Sequence, residues 1–263
     1  MKKVFSFVAV SLALVLSASF ISCKAPSGGG NEGPQATYIG TKAPTKAKAV
    51  GDIVFADGST TPYTAELTLT DDQKSKAIAV IYKVDGSKAF GVGLVHSQSR
   101  LSWCISSAKG YNTVLTDLRC EVSGSAGDYS FTGDTDGSDN FIKIAEDLGE
   151  DDDTEIAGNY PAFEFAKNYK NQTNSHVSGT AYENGWYLPT LSELADIWKE
   201  KSTVEAASAL CEGSQFGSTY YWSSSQHTST GYIAYQLRFS TGEWHTDTGN
   251  KLNMTFVCCI RVF

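Results

Sequence analysis

Two cysteines stand side by side at Cys258-Cys259, and their adjacency limits what they can do. Successive side chains of a strand point to opposite faces, so the two thiols cannot grip one metal ion together. Cys104, Cys120 and Cys211 add no Cys-x-x-Cys spacing, which leaves a zinc or redox centre unsupported. His96, His176, His227 and His245 show no paired metal-ligand spacing. Ser223-Ser224-Ser225 lacks the flanking glycines of a nucleophile elbow. Asp134-Thr135-Asp136-Gly137 and Glu150-Asp151-Asp152-Asp153 are rich in the oxygens that calcium prefers. In the first, however, glycine comes too early for an EF-hand loop, and the region reads as a solvated acidic loop. The residue types therefore predict no catalytic group, no metal and no cofactor. Removing Cys23 leaves five cysteines, an odd number. The expected bonds are Cys104 with Cys120, and Cys211 with Cys258 or Cys259. Small buried thiols fit each position equally well.

Cys23 carries different chemistry. Lys2 and Lys3 precede an apolar stretch from Val4 to about Ile21, the pattern of an export leader. Phe20-Ile21-Ser22-Cys23 places a large apolar residue three before a cysteine and a small one directly before it. That arrangement resembles the relaxed lipobox of bacterial lipoproteins, which are cleaved before a cysteine that then carries acyl chains. Residues 1–22 are thus expected to be a signal peptide and Cys23 the lipidation site. Several acyl chains on one residue anchor stably, at about 0.8 kcal/mol per buried methylene. The membrane is met through this anchor alone, and the protein is placed at the outer membrane or cell surface. Lys24 follows Cys23 where an aspartate would disfavour the outer membrane, by analogy with other bacteria.

The net charge of −8 argues against a nucleic-acid partner, which needs a clustered basic face. A hydrophobic fraction of 41% with 12% aromatic residues suffices for a core. Residues 23–49 hold Ser27-Gly28-Gly29-Gly30 and three prolines, a composition expected to form a flexible tether.

The elements that would position a site start near Val50. Asp52-Ile53-Val54-Phe55 reads as a strand, and Thr70 as the cap of a short helix over Asp71–Lys76. Ala77–Val84 and Ala89–Val95 flank Asp85-Gly86 as a hairpin. A short helix fits Asn140–Leu148. Pro161–Tyr169 has helical spacing. Gly185–Leu188 reads as a strand. Thr190 with Glu193 forms a capping box ahead of the apolar stripe Leu191, Leu194, Ala195 and Trp198. Strands follow at Tyr220–Trp222, Tyr232–Phe239 and Thr255–Phe263. In the second of these, Tyr235, Leu237 and Phe239 point one way and Gln236, Arg238 and Ser240 the other. The expectation is an α+β fold, mixed antiparallel sheets with two main helices, in a single domain over residues 50–263.

Four segments in order carry a resemblance. They are Asn159-Tyr160-Pro161-Ala162-Phe163, Gly185-Trp186-Tyr187-Leu188-Pro189-Thr190, Tyr221-Trp222-Ser223-Ser224-Ser225-Gln226 and Val257-Cys258-Cys259-Ile260-Arg261. Together they resemble a family of treponemal lipoproteins that includes variable proteins of diversity-generating retroelements. The Trp-Tyr-Leu-Pro-Thr unit is shared more widely, with formylglycine-generating-enzyme-like and other C-type lectin-like domains. The resemblance implies a C-type lectin-like fold whose last strands form a platform. In diversified members, adenine-directed mutagenesis rewrites codons of this stretch, and the rewritten side chains form the ligand-binding face.

On that scheme residues 220–263 are the binding region. Phe239, Gly242, Trp244 and Phe256 are expected as scaffold. His227, Thr230, Tyr232, Gln236, Arg238, Ser240, Thr241, Glu243, His245 and Asp247 are expected as the exposed ligand-binding set. Surface substitutions usually stay within about ±0.5 kcal/mol, so a face of this kind tolerates many alternatives. The partner would be a protein or glycan on a host or neighbouring cell. Two other functions compete. One is a non-catalytic structural surface lipoprotein, and the other an oxidase of the formylglycine-generating type, which needs a copper-binding cysteine pair.

Overall fold

The computed structural model describes residues 37–149, 158–247 and 249–263. The leader, Cys23 and the acidic run 150–153 lie outside the described residues. Residues 37–49, expected as the end of the tether, are among those described. Ile39 N–H donates to Asp57 Oδ2 at 3.0 Å, and Lys42 pairs with the buried Asp52 at 2.9 Å. Residues 37–49 therefore belong to the folded unit.

A five-stranded sheet runs through the middle, in the order β10-β4-β3-β1-β2. Its strands are β1 (Asp52–Phe55), β2 (Thr60–Pro62), β3 (Ala77–Asp85), β4 (Lys88–Gly93) and β10 (Ile260–Val262), all antiparallel. β3 is buried at every position from Ala77 to Tyr82 because apolar layers cover both of its faces. Ile78 and Ile81 join one core, Val80 and Tyr82 the other. An unbroken apolar run is what such a strand requires, whereas a one-sided strand alternates.

The first core is aromatic. Trp103, Tyr160, Phe163, Tyr169 and Trp186 fill it beside helix α3 (Pro161–Lys167), with Trp103 and Phe163 edge to face at 4.8 Å. The second core lies under α4 (Leu191–Lys199) and α5 (Lys201–Leu210), which contribute Leu191, Leu194, Ile197, Val204 and Ala207. A second sheet, in the order β7-β8-β9, closes this side. It comprises β7 (Tyr220–Gln226), β8 (Ala234–Arg238) and β9 (Trp244–His245). A separate hairpin pairs β5 (Cys120–Ser125) with β6 (Asp128–Gly133).

The fold is thus α+β with antiparallel sheets. Two main helices become five among the described residues, since α1 (Asp71–Lys74), α2 (Asn140–Leu148) and α5 are also formed. The capping boxes at Thr70 and Thr190 are both in place. Glu193, only 4% exposed, accepts from Thr190 N–H at 2.8 Å and Tyr187 Oη at 2.9 Å. It also accepts from Gly137 N–H at 3.2 Å. Burial outweighs these donors and pushes its carboxyl up to about 7. The 255–263 stretch stays extended but changes partner along its length. Thr255 bridges Leu101, Phe256 bridges Tyr221, and only Ile260–Val262 joins the main sheet.

The cysteine pairs expected from sequence are not formed, and all five thiols are free and buried. Cys104 sits in the first core and Cys120 in the second, so the sheet separates them. Cys258 and Cys259 also face different cores. Cys211 shares the second core with Cys258 yet stays unbonded.

Candidate binding cleft

Four consecutive buried polar residues hold the carboxy-terminal sheet in place. Ser223, Ser224, Ser225 and Gln226 are all 0% exposed, so each needs a partner. Ser223 Oγ donates to Tyr235 O across the ladder at 2.9 Å. Ser224 Oγ accepts from Asn140 Nδ2 at 2.8 Å, and Ser225 Oγ accepts from Leu191 N–H at 2.9 Å. Gln226 accepts from Leu115 N–H at 2.9 Å and donates to Thr113 O and Gly231 O. The serine run is thus a set of staples from β7 to α2, α4, β8 and two loops. Each of its three hydroxyls is buried and hydrogen-bonded.

The ladders then fix which residues share a face. β7 pairs with β8 as Tyr220↔Arg238, Tyr221↔Leu237 and Trp222↔Gln236, and β8 with β9 as Gln236↔His245 and Leu237↔Trp244. Tyr221, Tyr235, Leu237 and Phe239 face the second core, where Phe239 stacks on Phe216 at 3.9 Å. Tyr220, Gln236, Arg238 and His245 share the opposite face.

On that face the guanidinium carbon of Arg238 lies 5.7 Å from the Tyr220 ring centroid. The His245 ring meets the same tyrosine edge-on at 5.1 Å. Arg238 Nε and His245 Nε2 are buried and have no hydrogen-bond partner. A cleft of about 390 Å³ opens beside Tyr220, lined also by Arg100, Thr219, Gln236, Asn253 and Met254. Met254 is 56% exposed, and Arg100 stands 5.6 Å from the Phe256 ring. Among the described residues neither Arg100 nor Arg238 pairs with a carboxylate. Among the described residues this acidic chain thus has two arginines without a carboxylate partner, each against an aromatic ring, at or beside one opening.

The ten expected contact residues divide into four groups. His227, Thr230 and Tyr232 lie in the loop before β8, with Tyr232 45% exposed. Ser240, Thr241 and Glu243 form the exposed turn after β8, where Thr241 Oγ1 donates to Glu243 Oε2 at 2.9 Å. Asp247 is exposed beyond β9. Gln236, Arg238 and His245 lie between these ends. Gln236 is a correction, because it is 2% exposed instead of outward-facing. It is the middle residue of a three-strand row, with Trp222 and His245 on either side, so its neighbours cover it. Arg238 and His245 are half-buried.

Sequence reasoning missed Arg100, Tyr220 and Met254. Tyr220 had a readable signal, since it precedes the core-facing Tyr221 on a strand and must face the other way. Arg100 and Met254 had none, because their place at the cleft depends on the Leu101↔Thr255 bridge.

The remaining candidates for chemistry are enclosed. Burial pushes the Cys104, Cys120 and Cys211 thiols up to about 12, and the Cys258 and Cys259 thiols upward as well. His96, 6% exposed, shares a hydrogen bond of 2.9 Å with Tyr221 Oη, and burial pushes it down to about 3. Among the described residues no three His, Cys, Asp or Glu side chains converge to hold a metal.

No protein-family model matches this chain, and no curated protein matches it significantly. A solved structure does resemble it, the crystal structure of a fimbrial protein from Bacteroides ovatus. The TM-score is 0.53 at 16% identity, over 82% of this chain and 49% of the fimbrial protein. The match spans about half of that protein's length and speaks to fold alone.

Proposed function

We propose that this protein is a surface-displayed lipoprotein, anchored through Cys23, that binds a protein or glycan outside the cell. Its binding site is the cleft around Tyr220, on the carboxy-terminal sheet of a C-type lectin-like domain. One observation carries the reading: among the described residues neither Arg100, which lines the cleft, nor Arg238, which packs on the cleft's Tyr220, has a carboxylate partner, and each lies against an aromatic ring. Tyrosine and arginine dominate the energetics of recognition surfaces. The exposed Met254 adds an adaptable apolar contact. In a chain of net charge −8, this is where an anionic group of a partner meets least repulsion.

The test is an array of extracellular proteins and glycans probed with the purified chain and with its Tyr220→Ala and Arg238→Ala variants. Binding that both substitutions weaken supports the reading. Binding that neither changes removes the cleft from it. Whether this copy is diversified is a separate matter, read from neighbouring DNA as a near-copy of the 3′ end beside a reverse transcriptase gene.

A second reading, a structural subunit without a ligand of its own, draws support from the name of the fimbrial protein that shares the fold. Arrays without a single hit, together with self-association of the purified chain, would favour it.

A further inference from the structure

The described residues contain three non-glycine residues in the left-handed region: Asn174 (φ 66), His176 (φ 57) and Glu212 (φ 58). All three line one cleft of about 450 Å³, which shares no lining residue with the cleft around Tyr220. Left-handed residues cost about 1–3 kcal/mol each and collect where a ligand is held.

Glu212 is the most telling. It occupies the position just past α5 where glycine is favoured, with Glu212 N–H on Ala209 O and Gly213 N–H on Ser208 O, as in a Schellman motif. The neighbouring glycine comes one residue late. A Cβ on Gly213 would lie 2.4 Å from Ser208 Oγ, so close packing fixes that position as glycine and leaves the turn to Glu212. The Glu212 carboxylate is 77% exposed and, among the described residues, pairs with Lys74 at 3.2 Å. An exposed pair of this kind contributes little. The two turn hydrogen bonds support the cap, while the Glu212 side chain itself adds little against the backbone cost.

The lining identifies a ligand class. Asp71 and Glu212 line the cleft against the single lysine Lys74, so carboxylates outnumber the cation and a phosphate or carboxylate is disfavoured. Gln98, Thr173, Asn174 and Ser214 offer neutral groups that donate and accept. His176 donates Nδ1–H to Ala77 O at 3.1 Å, which fixes the ring beside the cleft. Leu94 and Val95 supply an apolar wall suited to C–H groups. No Phe, Tyr or Trp lines the cleft to stack a nucleobase. Cys211 lines it too, but with its thiol pushed up to about 12 it adds no nucleophile. We infer that this second cleft binds a small, uncharged, hydroxyl-rich ligand, of which a neutral monosaccharide is the simplest example. The inference stands independently of the site around Tyr220.

The experiment is saturation-transfer NMR on the purified full chain with glucose, galactose, mannose and N-acetylglucosamine, and with glucuronate and glucosamine as charged controls. Asn174→Gly and Glu212→Gly each remove a side chain and relieve its backbone. The expected result is a signal from at least one neutral sugar at millimolar strength, weakened at least fivefold in both variants. Their melting temperatures should rise or hold, which separates lost binding from lost folding. Three outcomes overturn the inference: no neutral sugar binds the unaltered chain; only a charged sugar binds; or binding survives both glycine variants. A neutral-sugar signal lost in Tyr220→Ala but kept in both variants belongs to the last case, and assigns the sugar to the other cleft.

Discussion

Arg238 and Tyr220 face each other across the β7–β8 ladder, with the guanidinium carbon 5.7 Å from the ring centroid. The pair holds the cation at the surface without neutralising it. Truncating either residue is expected to cost a ligand of this cleft about 2 kcal/mol, roughly thirtyfold in Kd. Folding stability should fall by only about 0.5–1 kcal/mol, the worth of an exposed cation–π contact. Titration calorimetry and thermal melts of Tyr220→Ala and Arg238→Ala separate the two effects. Equal losses in binding and folding would make the pair structural.

Lys251 is expected to shape stability above neutral pH. It is 0% exposed, donates from Nζ to Gly110 O at 2.6 Å, and lies 4.4 Å over the Trp103 ring. Burial pushes it down to about 7 from an ordinary 10.5. Between those values the unfolded chain binds the extra proton, so stability rises with pH and is lost as pH falls toward 7. The change is on the order of a few kcal/mol. Urea denaturation from pH 7 to 10 should show this rise, and Lys251→Met should flatten it. An unchanged slope in the variant would rule the assignment out.

Glu193 acts in the opposite sense on the acid side. Its folded value of about 7 exceeds the ordinary 4.5, so between them the folded chain binds the extra proton. Stability therefore falls as pH rises from 4.5 to about 7. These two groups together place a minimum near neutrality. Glu193→Gln keeps an uncharged acceptor at the cap and should remove the acid-side slope. If denaturation midpoints at pH 5 and 7 differ as much in the variant, another group is responsible.

The buried thiols make a plain chemical prediction. Without reductant, the native chain should leave Cys104, Cys120, Cys211, Cys258 and Cys259 unreactive to a maleimide. All five should react once urea unfolds it, as counted by mass spectrometry. Any pair that stays protected in urea would point to a disulfide.

Gly242→Ala is expected to destabilise the chain strongly. Gly242 has φ +73, and a Cβ there would fall 2.4 Å from Cε2 of Trp198. Strain and overpacking together cost on the order of 3 kcal/mol. A melting temperature within a degree of the parent would show that the turn can move away from α4.

Local grammar carried much of the fold. Thr70 and Thr190 announced their helices because a cap is chemistry among four neighbouring residues. The Asp85-Gly86 hairpin was equally local. The β5–β6 hairpin has no clear sequence signal, because the chain from Gly124 to Gly158 is rich in the Gly, Ser, Asp and Glu of loops. Its strands are stabilised mainly by each other and by Val122 and Phe131 resting on the second core. α5 was missed because Lys201–Leu210 has a weak apolar stripe. In the cleft, alternation along β8 placed Leu237 and Arg238 rightly. It failed at Gln236, where lateral neighbours, invisible to a two-residue period, close over the side chain. Arg100 reaches the cleft only through pairing with a segment over 150 residues away.

The Cys258-Cys259 doublet has a consequence for how the chain assembles. One thiol completes each apolar compartment, so a single short stretch is the party wall of both. Its continuation, β10, docks on β4 about 170 residues earlier. Neither compartment can seal until that late stretch arrives, and pairings so distant form slowly. Such a chain stays loose while most of it is being made, and both compartments close together only at its end.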